Sequence, residues 1–202
     1  VPLIQKFSQT GEVLTFNANN LEEIKALNEL LKNHLDKCGK FFETIKQEGL
    51  VVRHWFDIQH KDKPEPIIFL FDEAPEYLGE QLKIKITKES SPEEIELYSL
   101  NEEKRKLCFS VDRCFRILRE TGTYVFILSQ SANASDLEGI SFANLRGNVL
   151  LGRGIIKQVF SLYGIPSELT EQKLGEGMFV YATNGEAGVL KTPFLSLEGD
   201  KK

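Results

Sequence analysis

Pro66-Ile67-Ile68-Phe69-Leu70-Phe71-Asp72-Glu73-Ala74-Pro75 is the stretch that decides the fold. Five consecutive apolar residues, entered through a proline and left through two carboxylates, have the pattern of a strand buried on both faces of a parallel sheet. Ligands of open α/β sheets sit at the carboxyl ends of strands, so Asp72 and Glu73 fall where chemistry is expected. A bland alternative stands beside this one. Acids at a strand end are also found as solvated side chains or at the start of a helix.

A second strand of the same kind follows. Tyr124-Val125-Phe126-Ile127-Leu128 ends in Ser129-Gln130-Ser131, so an apolar strand again delivers a polar side chain to the carboxyl edge. An amide at that place can donate to a phosphate oxygen and accept from water, whereas the alternative is a loop glutamine with no duty. Between the two strands, Ser91-Pro92-Glu93-Glu94 has the chemistry of a helix start, and the chain reads as helix from there to Gly122. Leu107, Val111, Cys114, Phe115 and Leu118 form its apolar stripe. Lys104, Arg105, Lys106, Arg113, Arg116 and Arg119 lie largely off it, as a solvated face or, alternatively, a phosphate-contacting one.

Upstream, Val1–Ile4 and Thr10–Phe16 are extended candidates. Asn20 with Glu23 matches a capping box for a long helix in which Leu21, Ile24, Leu27, Leu31, Leu35, Cys38, Phe42 and Ile45 recur at helical spacing up to Gly49. That helix is expected to lie with one face on the sheet. Trp55, beside it, is expected in the core rather than stacked on a base. Residues 80–97 read as a polar surface insertion. Downstream come a strand at Asn148–Leu151, a helix from about Ile155 to Tyr163, and two strands joined through Asn184-Gly185 as a terminal hairpin.

The 202 residues suit a single core, and a net charge of −5 gives no overall footprint for nucleic acid. No stretch approaches the length of a membrane span, and the start lacks signal-peptide features. Cys38, Cys108 and Cys114 sit in amphipathic helical patterns, which fits reduced thiols better than a disulfide framework. His34, His54 and His60 have no metal-ligand spacing.

The order of these blocks resembles the C-terminal half of the motor domain of FtsK/SpoIIIE-type (HerA/FtsK superfamily) ATPases. The pieces are the apolar strand with Asp-Glu, the amphipathic helix, the strand with Ser-Gln, the small polar loop with Ala143-Asn144-Leu145, and Leu174-Gly175-Glu176-Gly177-Met178-Phe179-Val180. Within that family it looks closest to the coupling proteins of conjugation. The resemblance implies an α/β fold, a RecA-like P-loop NTPase three-layer sandwich with a mostly parallel sheet and a C-terminal β-hairpin. It makes the first strand a Walker B strand and implies ATP and Mg²⁺ as ligands. Asp72 would hold the metal, Glu73 would polarise the attacking water, and Gln130 would act as γ-phosphate sensor. Arg146 and Arg153 would be candidates for the arginine contacting nucleotide across a subunit boundary. The implied assembly is a hexameric ring, a homo-oligomer threading double-stranded DNA, in the cytoplasmic part of a membrane-anchored bacterial protein.

The chain departs from the family in lacking Gly-x-x-x-x-Gly-Lys-[Ser/Thr]. Backbone amides and the lysine of that loop cradle the phosphates, so residues 1–202 are expected to be a partial RecA-like domain without Walker A, inactive alone. The alternative is a degenerate motor domain of the kind used in type VII protein secretion, binding polypeptide and catalysing nothing. A third reading is a packaging or helicase motor of the wider additional-strand P-loop class.

Overall fold

The computed structural model describes residues 14–50, 55, 58–79, 81, 83–130, 137, 139–141, 145, 148–152, 163–170, 174–183 and 186–191. Its elements are α1 (Leu21–Gln47), β1 (Ile67–Phe71), α2 (Pro75–Leu78), α3 (Pro92–Thr121), β2 (Thr123–Ile127), β3 (Asn148–Leu151), α4 (Ser167–Thr170), β4 (Met178–Thr183) and β5 (Glu186–Lys191).

Both long helices begin where their caps dictate. The Asn20 side chain accepts from the backbone N–H groups of Glu22 and Glu23, while Glu23 reaches back to the N–H of Asn17 rather than to that of Asn20. The box expected at Asn20 is thus widened by three residues. At the other end of α1 the N–H of Gly49 bonds to Lys46 and that of Leu50 to Ile45, a Schellman closure that uses glycine at φ 73°. Helix α3 carries the full reciprocal box between Ser91 and Glu94, with Pro92 in its first turn.

Helix α3 ends at Gly122, whose φ of 56° is left-handed. A Cβ there would lie 2.4 Å from the Trp55 ring. Glycine is therefore required twice over, by the turn and by the packing. Trp55 is buried with Cys38, Phe41, Ile45 and Ile58 in a small second cluster at the end of α1, as expected of a core side chain.

Strands β1 and β2 pair in parallel, Ile67 opposite Thr123 and Phe71 opposite Ile127. Strands β3, β4 and β5 form a separate antiparallel sheet. The expectation of a mostly parallel sheet is corrected here: among the described strands only one pair is parallel. The terminal hairpin is present as β4 and β5, with its Asn184-Gly185 turn outside the described residues. One hydrophobic core joins both sheets, with Phe69 and Phe71 from β1, Leu151 from β3, Val180 and Ala182 from β4, and Leu31, Leu107 and Val111 from the helices. The described residues thus form an α/β domain around a continuous interior.

Two further expectations change. Strand β1 is not buried on both faces: Phe69 and Phe71 are inside, but Ile68 is 66% and Leu70 is 54% exposed. Helix α1 packs chiefly along α3, its buried side chains being Ile24, Leu27, Leu31, His34, Leu35, Cys38, Phe41 and Ile45. Phe41 takes the inward place expected of Phe42, because the seam follows a helix rather than a flat sheet. Residues 10–13 lie outside the described set, and Leu14–Phe16 form no strand. Residues 81 and 83–91 carry neither helix nor strand, and α3 begins inside the span read as an insertion. The expected helix near Ile155 falls on residues that are not described.

Cys38, Cys108 and Cys114 form no disulfide among the described residues and are buried. Burial pushes the Cys38 thiol up to about 11 and the Cys114 thiol up to about 12. The folded chain therefore holds these protons where the unfolded chain loses them. Stability should be unaffected below the ordinary thiol range and fall as pH rises above 9 towards 11, as urea titrations against pH would record. Gly122→Ala should lower stability by at least ~2 kcal/mol in the same titrations, since left-handed backbone alone costs an L-residue about 1–2 kcal/mol and the Trp55 clash adds to it.

Candidate functional site

The carboxyl ends of β1 and β2 lie side by side because the strands are parallel neighbours in register. Asp72-Glu73 and Ser129-Gln130 therefore emerge at one edge of the sheet. Glu73, Pro75, Glu76, Ser129 and Gln130 line an open cleft of about 350 Å³. Asp72 is exposed at the strand end and is not among the lining residues.

The ladder does not stop cleanly at Phe71. Leu128 N–H donates to Phe71 O at 2.9 Å, and Leu128 O accepts from Ala74 N–H at 2.9 Å. A regular parallel ladder would take that second bond from residue 73. One residue is thus inserted, and Asp72 and Glu73 together face Leu128 as a bulge. Glu73 has φ 53°, the one non-glycine residue at positive φ among those described. Bulges re-aim side chains at strand ends and recur beside active sites. Here the bulge holds Glu73 over the cleft it shares with Gln130.

The backbone beyond is tied down at once. Ala74 is fully buried, and Pro75 opens the single-turn helix α2, whose Leu78 is also fully buried. Tyr77 donates its hydroxyl to Phe16 O at 2.7 Å and stacks edge-on against Phe71. Burial, with Glu76 next in weight, raises the Tyr77 hydroxyl above its ordinary value, so it stays a donor. Lys104 of α3 lies largely buried close to Glu76; burial lowers its ammonium pKa, and the negative charge of Glu76 acts in the opposite sense.

The chain downstream of Gln130 is anchored too. Asp112 of α3 is buried, accepts from Ser141 N–H at 2.9 Å and pairs with Arg116 at 3.1 Å. Leu137, Ile140 and Leu145 enter the core. Sequence reading placed Ser129 at the strand end without giving it a role, and missed Asp112 and Glu76. Asp112 had a signal, a carboxylate one turn from Cys108 on the inward stripe of a helix; Glu76 had none, since an exposed polar residue acquires meaning only from what folds beside it.

Chemically the cleft is acidic. Among the described residues its lining supplies Glu73 and Glu76, with Asp72 beside them and no cationic side chain. Among the described residues no group of three or more metal-ligating side chains converges. One carboxylate at a strand end still suits Mg²⁺, which takes one or two carboxylates and draws its other ligands from phosphates and water. Arg146 and Arg153 lie outside the described residues. No described helix is long and apolar enough to cross a membrane.

No protein-family model matches the chain, and no curated protein sequence matches it. A solved structure does: the pCW3 conjugation coupling protein TcpA, in a monomer form with ATPgS, with a TM-score of 0.55 and 16% sequence identity. The match covers 84% of this chain and 44% of that one, so the chain spans less than half the length of its structural neighbour. At this identity the likeness is one of fold. The chain is an α/β domain built like part of a conjugation coupling protein.

If the bulge strains Glu73, then Glu73→Gly should raise stability by about 1 kcal/mol, because glycine takes positive φ freely while glutamate does not. A thermal melt that falls instead would show Glu73 held by contacts stronger than its backbone cost.

Proposed function

We propose that the chain is the hydrolytic-carboxylate part of a P-loop motor ATPase of the FtsK/SpoIIIE type, driving double-stranded DNA through a hexameric ring in conjugative transfer or in chromosome or plasmid segregation. The observation that carries this reading is the convergence of Asp72-Glu73 and Gln130 at the ends of adjacent parallel strands. Likeness in fold to a coupling protein solved with ATPgS supports it.

In this reading Asp72 binds Mg²⁺ directly or through water. The metal, when bound, supplies neutralisation of phosphate charge. Glu73 orients and polarises the attacking water from its bulge, and Gln130 contacts the terminal phosphate. Gln130 is followed by a loop that Asp112 ties to α3 at Ser141, so a change at the phosphate would reach α3 along the chain and through that hydrogen bond. Arg146 and Arg153 remain candidates for the contact across a subunit boundary.

The phosphate-binding loop must then come from outside these residues, as must any membrane anchor. Two features support a missing partner layer. Ile68, Leu70, Phe126 and Leu128 are exposed on the parallel pair, although parallel sheets are normally covered on both faces. Strand β2 is bonded to β1 alone and β3 to β4 alone among the described strands, leaving an open edge on each.

The test is nucleotide turnover by the polypeptide that carries these residues together with a phosphate-binding loop. Glu73→Gln should leave ATP binding intact and cut DNA-stimulated hydrolysis by about 10²–10⁴-fold, the usual worth of a positioned general base. Unchanged turnover removes Glu73 from the role. ATP binding without any hydrolysis in the unaltered protein would favour a degenerate, polypeptide-binding domain instead.

A further inference from the structure

Lys104 has no part in the ATPase reading, and its place in the fold is unusual for a lysine. The residue is 6% exposed, on the same stripe of α3 as the buried Leu100, Asn101, Leu107, Cys108 and Val111. It lies on the apolar stripe, not off it as expected of the charged residues of this helix. Lysines are almost never buried to this degree unless paired. Among the described residues no carboxylate closes an ion pair with Lys104, and the acid whose charge bears on it is Glu76.

The contact between α3 and α2 is fixed one turn away. Cys108 Sγ donates to Leu78 O at 3.5 Å, and Lys104 lies one turn earlier on that face of α3. Glu76, near the start of α2, donates its backbone N–H to Glu73 O at 2.9 Å. The residue beside Lys104 is thus bonded directly to the residue at the bulge. Glu73 and Glu76 both line the cleft next to Gln130. Two carboxylates at one cleft have the same chemistry: either can accept from a water or bind a cation, and their like charges repel. Only position can give them different work.

We infer that Lys104 is a positioning residue that sets the roles of the two acids, its ammonium drawing the Glu76 carboxylate toward α3 so that Glu73 alone faces the attacking water. The inference deepens the proposed hydrolysis and rests on it. Lys104 touches neither nucleotide nor water in this arrangement and acts through Glu76. Burial lowers its ammonium pKa, and Glu76 opposes that lowering, the sense in which a neighbouring carboxylate keeps a buried lysine charged. The bulge aims one acid, and the helix behind it restrains the other.

Turnover by the polypeptide that carries these residues together with a phosphate-binding loop reads the effect. Lys104→Met removes the charge and keeps most of the volume. It should lower kcat at least about tenfold and leave KM for ATP within about twofold, because a released Glu76 disturbs the attacking water and not nucleotide binding. In a Glu76→Gln background the same change should lower kcat by less than about twofold, since the acid through which Lys104 acts is gone. Lys104→Gln removes the same charge in a polar side chain and should give the same two results. A loss of equal size with and without Glu76, as a packing role would give, or no loss in either background, overturns the inference. An unaltered polypeptide that hydrolyses no ATP overturns the ATPase reading instead. Folding reads the pair without turnover: in urea titrations of the 202-residue chain, Glu76→Gln should raise the unfolding constant about fivefold, and should not do so in the Lys104→Met background. Equal effects in the two backgrounds overturn the coupling of Lys104 to Glu76.

Discussion

Parallel pairing of β1 with β2 is the constraint on which the rest depends. Parallel neighbours bring their carboxyl ends to one edge, so Asp72-Glu73 and Ser129-Gln130 meet without any loop being shaped to carry them there. Antiparallel pairing would have sent them to opposite edges. A parallel pair needs a crossover, and α3 is that crossover: it starts after the segment beyond Glu73, runs the length of the domain and returns the chain at Gly122 into β2. Ile67 N–H bonds to Gly122 O, so the turn that ends the helix also begins the ladder. The packing of Trp55 against Gly122 therefore fixes the register that, five residues later, aligns the acids with the amide.

Helix α3 serves the other end of the site as well. Its Asp112 is a buried carboxylate whose charge is met by Arg116, itself about half exposed, and by a backbone N–H. The residues that follow Gln130 are thus held at Ser141 by the helix that positions β2. Lys104, one turn below Cys108, approaches α2 from the same helix. A single rigid element touches both polar segments, which is what a domain needs if a change at the cleft is to be felt elsewhere.

Much of this was legible. Caps at Asn20 and Ser91, the stop at Gly122, the strand at Asn148–Leu151 and the two acid- and amide-ended strands are written in local chemistry: side-chain oxygens before helices, glycine where φ turns positive, apolar runs of strand length. What misled was a rule about partners. Ile68, Leu70, Phe126 and Leu128 have the composition of strands covered on both faces, and composition cannot say whether the cover belongs to the same 202 residues. The antiparallel pairing of β3 with β4 also escaped, since it joins strands with 26 residues between them and leaves no periodic trace. At the site, Asp72, Glu73 and Gln130 were readable as types at strand ends. The bulge was not, because an extra residue in one strand is defined only against the bonds of its neighbour.

That bulge changes what the acid pair is. In a regular strand, Asp72 and Glu73 would point to opposite faces of the sheet, and only one could face the cleft. Inserting a residue breaks the alternation, and the left-handed turn at Glu73 costs backbone energy that nothing in the local sequence offsets. The cost is sustained by what surrounds it: Ala74 sealed in the core, Pro75 fixing the next φ, Tyr77 tied to Phe16, and Leu128 bonded on both sides of the insertion. A structure that merely ended a strand in solvated acids would have no reason to hold a glutamate in this conformation, and glycine or asparagine would serve better there. The conformation, more than the presence of two acids, is what distinguishes this strand end from one that simply closes in solvated carboxylates. Around it, among the described residues, the lining of the cleft supplies Glu73 and Glu76 with Asp72 beside them, and the charge of Lys104 on α3 lies close to Glu76.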